Sequence, residues 1–216
     1  MEIVKTIVVK NKLINLILRG STLVCKFGLV FFLAKFLPPE VMGLYGLVLV
    51  TVSFTLYLYG LDFYIFSTRE IIHALAEQQS ELIKNQLVLH IILYAVVSPC
   101  LLFLFILGKL PWYIAPLFFT VAILEHLAQE ANRLLITLSA PVFASVILFF
   151  RSGVWALVLI VLMYLEPQWR NLESILALWT FGLVIALFLA ISRLRKMGIN
   201  IYFKGPINWA WLYTGL

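Results

Sequence analysis

Three basic residues, Arg19, Lys26 and Arg151, stand inside long apolar runs. A charge at a bilayer centre costs about 2.5–3.5 kcal/mol on insertion scales, so each one needs a reason. At about 100° per residue, Lys12, Asn15, Arg19, Thr22 and Lys26 share one helix stripe roughly 80° wide. Apolar residues such as Leu16, Ile17, Leu18, Leu23 and Val24 stand between them. At about 1.5 Å per residue, Lys26 lies near mid-span and Arg19 about 10 Å nearer one end. One reading makes the stripe, with Asn15 and Thr22, the cationic wall of a water-filled cavity. The other has Arg19 snorkelling to the interface and Lys26 paired with a carboxylate. Lys35, off the stripe and near the segment's end, reads as a snorkelling residue.

A second polar constellation lies at Glu125, His126, Gln129, Glu130, Asn132 and Arg133. On a helix these six occupy an arc of about 160°, opposite Leu127, Ala128, Ala131, Leu134 and Leu135. Glu125, Gln129 and Arg133 follow each other at i, i+4 and i+8 and could pair internally. Either this half-helix faces a cavity or it emerges into the cytoplasm near Glu125. Only 14 residues, Pro111 to Leu124, precede Glu125, which is short for a full crossing and favours the cavity. Arg151, ten residues after Pro141, needs a partner, and Glu125 or Glu130 on the preceding segment is expected. Asp62 lies at a depth similar to Arg19 and is expected to pair with it. Asp62, Glu125, Gln129, Glu130 and Arg133 are thus the expected polar partners of Arg19, Lys26 and Arg151.

Nothing points to catalysis. His73, His90 and His126 lack the i, i+4 spacing of a metal site, and the latter two read as packed or interfacial. There is no phosphate loop, no G-x-S-x-G and no H-E-x-x-H. Cys25 and Cys100 fall inside apolar runs and read as small apolar residues. No enzyme activity, metal or cofactor is expected.

The elements that must carry these residues follow from composition. Of 216 residues 63% are hydrophobic and 12% charged, against about 25% charged in soluble domains. The mean hydropathy is +1.05. These values exclude a soluble globular domain and a disordered chain. Continuous apolar runs exclude a β-barrel. The remaining class is an all-α multi-pass membrane protein, with room for six or seven spans at about 30 residues each. Six segments are long enough: Leu13–Leu37, Val41–Phe66, Leu87–Gly108, Pro111 to about Ser139, Pro141–Leu165 and Leu172–Ser192, punctuated by Pro38-Pro39, Gly108, Pro111, Pro141 and Pro167. The polar stretch Ser67–Gln86 reads as a solvated helical linker.

Charge sets the orientation. Ten Lys and Arg residues flank one side (Lys5, Lys10, Lys12, Arg69, Lys84, Arg133, Arg193, Arg195, Lys196, Lys204) and three the other (Lys35, Lys109, Arg170). The positive-inside rule places both the N-terminus and the Arg193–Lys196 loop in the cytoplasm. The net charge of +6 therefore reports topology and not nucleic-acid binding. No cleavable signal peptide is evident. The expected organisation is a six-helix bundle over 1–192, followed by a basic cytoplasmic loop and the start of a truncated seventh helix over 193–216. From the residues alone, Lys204–Leu216 is equally an interfacial segment with Trp209, Trp211 and Tyr213 at headgroup level.

The stretch Arg19-Gly20, then Leu33-Ala34-Lys35-Phe36-Leu37-Pro38-Pro39-Glu40, then Gly43-Leu44-Tyr45-Gly46 resembles the start of bacterial polysaccharide flippases. Their first span ends in an L-A-R/K-x-L-G-P-E-x-x-G-x-Y pattern. Gly60-Leu61-Asp62 with Arg69-Glu70-Ile71 matches the family's closing G-L-D … R-E-I. The likeness covers 19–71, with Pro38 where the family usually has Gly, and is to O-antigen repeat-unit transporters of the multidrug/oligosaccharidyl-lipid/polysaccharide exporter superfamily. It implies translocation of undecaprenyl-pyrophosphate-linked oligosaccharide across the bacterial inner membrane. It also implies twelve to fourteen spans in two bundles, of which this chain would hold one and the beginning of the next. Polysaccharide polymerase and glycosyltransferases are the implied neighbours. Arg19, Lys26 and Arg151 would then supply a hydrated cationic path, Arg as a bidentate fork and Lys as a point charge for phosphate. Two other readings stay open: a cation-coupled small-molecule exporter of the same superfamily, and a non-transporting truncated or scaffold protein. A lone bundle would alternate access only by forming a homodimer.

Overall fold

A computed structural model describes residues 2–200 and 206–215. Lys204, Gly205 and Leu216 of the tail lie outside the described residues, as do the side chains of Lys5 and Glu77. The described residues are helical throughout, with no strand: α1 (Glu2–Phe36), α2 (Pro39–Gly60), α3 (Phe63–His73), α4 (Ala76–Leu101), α5 (Phe103–Ile106), α6 (Ala115–Thr137), α7 (Pro141–Phe149), α8 (Trp155–Leu165), α9 (Leu172–Lys196) and α10 (Trp209–Gly215). A π-helical turn, Phe150–Val154, joins α7 to α8 into one rod. Five segments are long and apolar enough to cross a membrane: Val9–Phe36, Pro39–Gly60, Gln78–Ile106, Pro141–Leu165 and Leu172–Lys196. The polar second half of α6 keeps that helix out of this set.

The helix ends follow local chemistry. Pro38 and Pro39 stop α1 and start α2, because a residue before proline is pushed out of the α region. Pro141 occupies the first turn of α7, and Asn171 caps α9, its Oδ1 accepting from the Ser174 N–H at 2.8 Å. The expected second span does not continue to Phe66. Leu61 (φ 45°) and Asp62 (φ 54°) are left-handed, ending α2 at Gly60 and re-aiming the chain into α3. The expected solvated linker is also corrected. Ser67, Ile71, Ile83, Lys84, Asn85 and Gln86 are buried, because α3 and the first turns of α4 pack on each other and α3 also packs on α6. Lys84 donates to the Pro206 carbonyl at 3.0 Å. The tail helix α10 lies on α3 and α4, with Leu212 buried and Trp211 against Phe63 and Phe66, while Trp209 and Tyr213 face outward.

α6 and α9 form the central pair. α1 runs along α7, the π turn and α8; α2 flanks α6 on its other side, and α4 packs on α2 and reaches α6 through Gln86 and Tyr94. The core between them is close-packed around Leu33, Val48, Phe118, Val121, Leu159 and Leu183. Outside, Phe31, Val50, Phe54, Val96, Phe181 and Phe188 are each more than 60% exposed. Such a rind of large apolar side chains is untenable in water and suits lipid. Gly182 permits a close approach of α9 to α8 and the π turn. A Cβ there would meet Trp155 Cδ1 at 2.8 Å and the Phe150 carbonyl oxygen at 3.1 Å. Gly182→Val is therefore expected to destabilise the bundle by about 1–3 kcal/mol, the usual cost of overpacking. Gly46→Ala, with nothing within 4 Å of the added Cβ, is expected to be neutral or stabilising by up to about 1 kcal/mol. Thermal unfolding of the detergent-solubilised protein checks both.

Candidate functional site

α6 brings polar side chains into the bundle on two faces. Towards the π turn and α9 it presents Glu125 and Gln129; towards α3 and α4 it presents His126, Glu130 and Arg133.

The first face meets Arg151. A π turn inserts one extra residue per turn and re-aims side chains, and such turns concentrate at functional sites. Here it sets Arg151 against Glu125, with Nε donating to Oε1 at 2.8 Å and Nη2 lying 2.6 Å from the same oxygen. Arg151 Nη2 also donates to Gln129 Oε1 at 3.0 Å. The other oxygen of Glu125 accepts from Trp179 Nε1 at 3.1 Å. Trp155 Nε1 donates to the Arg151 carbonyl at 2.9 Å, and the Trp155 and Trp179 rings stack with centroids 5.7 Å apart. Arg151 and Glu125 are both buried, and both carboxylate oxygens of Glu125 accept hydrogen bonds. Gly153 lets α1 settle on the turn, with Thr22 Cα 3.6 Å from where a Cβ would stand.

In front of this pair lies a cavity of about 310 Å³ between α1, α2, α6 and α9. Lys26, Glu125, Arg151, Tyr45, Trp155 and Trp179 line it. Arg151 and Glu125 neutralise each other. Among the described residues Lys26 has no ion-pair or hydrogen-bond partner, so the cavity carries one uncompensated positive charge.

The second face is a separate cluster. Glu130 accepts from Gln86 Nε2 at 2.9 Å and from Arg133 Nη1 at 2.6 Å. The Arg133 guanidinium lies 3.6 Å from the centroid of the Tyr64 ring. The Tyr94 hydroxyl bonds His126 Nδ1 at 2.7 Å, and the His90 ring meets His126 edge-to-face at 4.6 Å. Glu130, Arg133, Gln86 and His90 line a second cavity, of about 280 Å³, between α3, α4, α6 and α9.

The expected polar stripe of α1 is divided by the structure. Lys26 faces the first cavity. Arg19 points elsewhere, its Nε donating to Ser145 Oγ on α7 at 3.4 Å. Thr22 is buried and bonds the Leu18 carbonyl at 2.8 Å. Asn15 is half-buried, and neither it nor Thr22 is among the residues lining that cavity. The expected Asp62–Arg19 pair is overturned. α2 packs on α6 and α4 and only slightly on α1, and Asp62 sits exposed in the left-handed break. Trp155, Trp179, Gln86, His90 and Tyr94 were not anticipated as a site. The i, i+4, i+8 spacing of Gln86, His90 and Tyr94 was a readable signal for one polar row on α4. Among the described residues no group of three or more His, Cys, Asp or Glu side chains is placed to hold a metal.

Removing one partner of a buried ion pair leaves an uncompensated charge and costs about 3–5 kcal/mol. Glu125→Leu is expected to destabilise the protein by that amount. The double variant Glu125→Leu with Arg151→Met is expected to recover most of it. Thermal melts of the three proteins in one detergent check this; a double variant no better than the single would refute it. No protein-family model, no curated protein and no solved structure matches the chain.

Proposed function

We propose that the chain acts in moving an anionic lipid-linked headgroup, the pyrophosphate of a polyprenyl-linked oligosaccharide, across a bacterial cytoplasmic membrane. The observation that carries this reading is the cavity in which Lys26 stands unpaired beside the neutral Arg151–Glu125 pair. Lys26 is itself exposed at the cavity's edge, and its ammonium is the charge that the neutral pair behind it leaves free to attract an anion. The volume, about 310 Å³, suits a phosphate-sized group and not a whole oligosaccharide. The resemblance of residues 19–71 to polysaccharide flippases supports the same substrate class.

In this reading α6 crosses with the five apolar segments, giving six spans with both the N-terminus and the Arg193–Lys196 loop cytoplasmic. Its polar residues are tolerated because they turn inward to Arg151 and Gln86 and away from lipid. With Lys84 and Arg133 buried or paired inside the bundle, eight of the ten expected cytoplasmic basic residues remain against three, an excess that supports the same orientation. On this reading the three basic residues take different roles. Lys26 meets the anion, Arg151 positions the cavity wall, and Arg19 takes part only through α7.

A charge-assisted hydrogen bond contributes about 1.5–3 kcal/mol, so losing it weakens binding about tenfold or more. Lys26→Ala in liposomes is expected to cut translocation of a fluorescent polyprenyl-pyrophosphate disaccharide by about that factor. Lys26→Arg is expected to retain translocation, and melting temperature to stay unchanged in both. The outer-leaflet fraction is read by reductive quenching. Wild-type liposomes no faster than empty ones, or Lys26→Ala as fast as wild type, would defeat the reading.

A further inference from the structure

Two hydroxyl-bearing side chains line the cavity beside Lys26, Tyr45 from α2 and Ser152 from the π turn. Each residue is only 5% exposed, yet among the described residues neither hydroxyl has a hydrogen-bond partner. Nor is either oxygen sealed in, as the nitrogens of His90 are. Elsewhere in the bundle such groups are paired. The Tyr59 hydroxyl meets Ser98 Oγ at 2.8 Å, and the Tyr94 hydroxyl meets His126 Nδ1. Thr22, Ser53, Thr55, Thr120 and Thr180 donate to the carbonyl four residues back. Ser152 stands where backbone bonding steps from four residues to five, and its hydroxyl takes no carbonyl. Buried hydroxyls normally find a partner, because leaving one without costs stability.

The other polar side chains of the cavity are committed. Both oxygens of Glu125 accept, Arg151 is held by Glu125 and Gln129, and the indole N–H groups of Trp155 and Trp179 are used. Ser53 donates to the Leu49 carbonyl at 2.8 Å. What stays free is one ammonium and two hydroxyls, on α1, α2 and the π turn. An ammonium only donates, and a hydroxyl has one proton to give. Donors on three separate elements surround an occupant, so its acceptors must point in several directions. The oxygens of a phosphoryl group do so tetrahedrally, whereas the two oxygens of a carboxylate share a plane with their carbon. A sugar hydroxyl could meet Tyr45 or Ser152 but would leave the ammonium uncompensated.

We infer that Tyr45 and Ser152 are ligands of the same anion as Lys26, each donating its hydroxyl proton to a phosphoryl oxygen, and that they favour phosphate over carboxylate. The inference rests on the anion reading of Lys26 and adds the neutral donors that recognise the anion's shape. Lys26 supplies the charge, and the hydroxyls supply direction.

The test is calorimetric titration of the full chain in maltoside micelles, which contain no phosphate. The probes are inorganic pyrophosphate for a water-borne anion, citronellyl pyrophosphate for a lipid-borne one, and acetate for comparison. Tyr45→Phe and Ser152→Ala each remove one oxygen and no internal hydrogen bond, so melting temperatures are expected to hold. Each variant is expected to bind both pyrophosphates about fivefold more weakly, the loss of one neutral hydrogen bond, and acetate about as before. Both are expected to keep the salt dependence of wild type, whereas Lys26→Ala flattens it, because only Lys26 carries charge. On the unaltered protein, labelled with 13Cζ-tyrosine, solid-state NMR is expected to show dipolar coupling from bound pyrophosphate phosphorus to one tyrosine. Wild-type affinity in both hydroxyl variants alongside loss in Lys26→Ala would overturn this inference and leave the reading of Lys26 intact. Undiminished binding in Lys26→Ala would overturn both. An equal fall for acetate in the variants, or no phosphorus–tyrosine coupling in the unaltered protein, would also overturn the inference.

Discussion

Arg151 and Glu125 are two opposite charges held away from water inside an apolar bundle, and most of the architecture around them answers to that fact. Desolvating each ion costs several kcal/mol even after relaxation. The pair survives because two guanidinium nitrogens converge on one carboxylate oxygen, Trp179 donates to the other, and Gln129 accepts from Arg151. Meeting those demands ties α6 to the π turn and to α9 at one level. The Trp155–Trp179 stack then closes the level from the side, and Gly182 and Gly153 admit the neighbouring helices at contact distance. The cavity beside Lys26 is what remains in front of this knot. Its wall is built of interlocked hydrogen bonds that fix the side chains in place.

α6 is the unusual helix. In a water-soluble protein its polar arc would face solvent; here it is turned inward on both sides, because the outer surface is apolar and the interior is the only place where a carboxylate finds partners. Two separate clusters result, one neutral pair next to a free ammonium, and one network of Glu130, Arg133, Gln86, Tyr94 and His126. The helix thus divides the bundle into two compartments of different chemistry. One is lined by an ammonium beside a neutral ion pair, the other by apolar side chains with Gln86, His90, Glu130 and Arg133 at its polar end. The π turn and the left-handed break at Leu61–Asp62 are the local departures from regular helix that let these compartments form.

The broad architecture was legible without coordinates. Apolar runs longer than about 20 residues can satisfy their backbone only as helices, and prolines mark where several of them begin or end. The amphipathic arc of α6 and the need of Arg151 for a carboxylate were readable for the same reason: charge inside an apolar run must be compensated. What was hidden were the places where helix regularity fails. Gly60-Leu61-Asp62 reads as the continuing end of a span, and Phe150–Val154 reads as ordinary helix, since a π turn has no composition of its own. The polar stretch Ser67–Gln86 looked solvated because hydropathy measures residue type and not what packs on top of it.

Charge and hydropathy are properties of single residues and of one-dimensional spacing, so the chain by itself determined that it is helical, apolar outside, and burdened with charges that need partners. Which partner each charge takes depends on which helices are neighbours and how each is rotated, and many distant side chains set that together. Only the tertiary structure could therefore give Arg151 to Glu125, turn Arg19 to Ser145 and away from Asp62, and leave Lys26 alone in the cavity. A stripe on a wheel shows which residues share a face; it does not show what stands opposite.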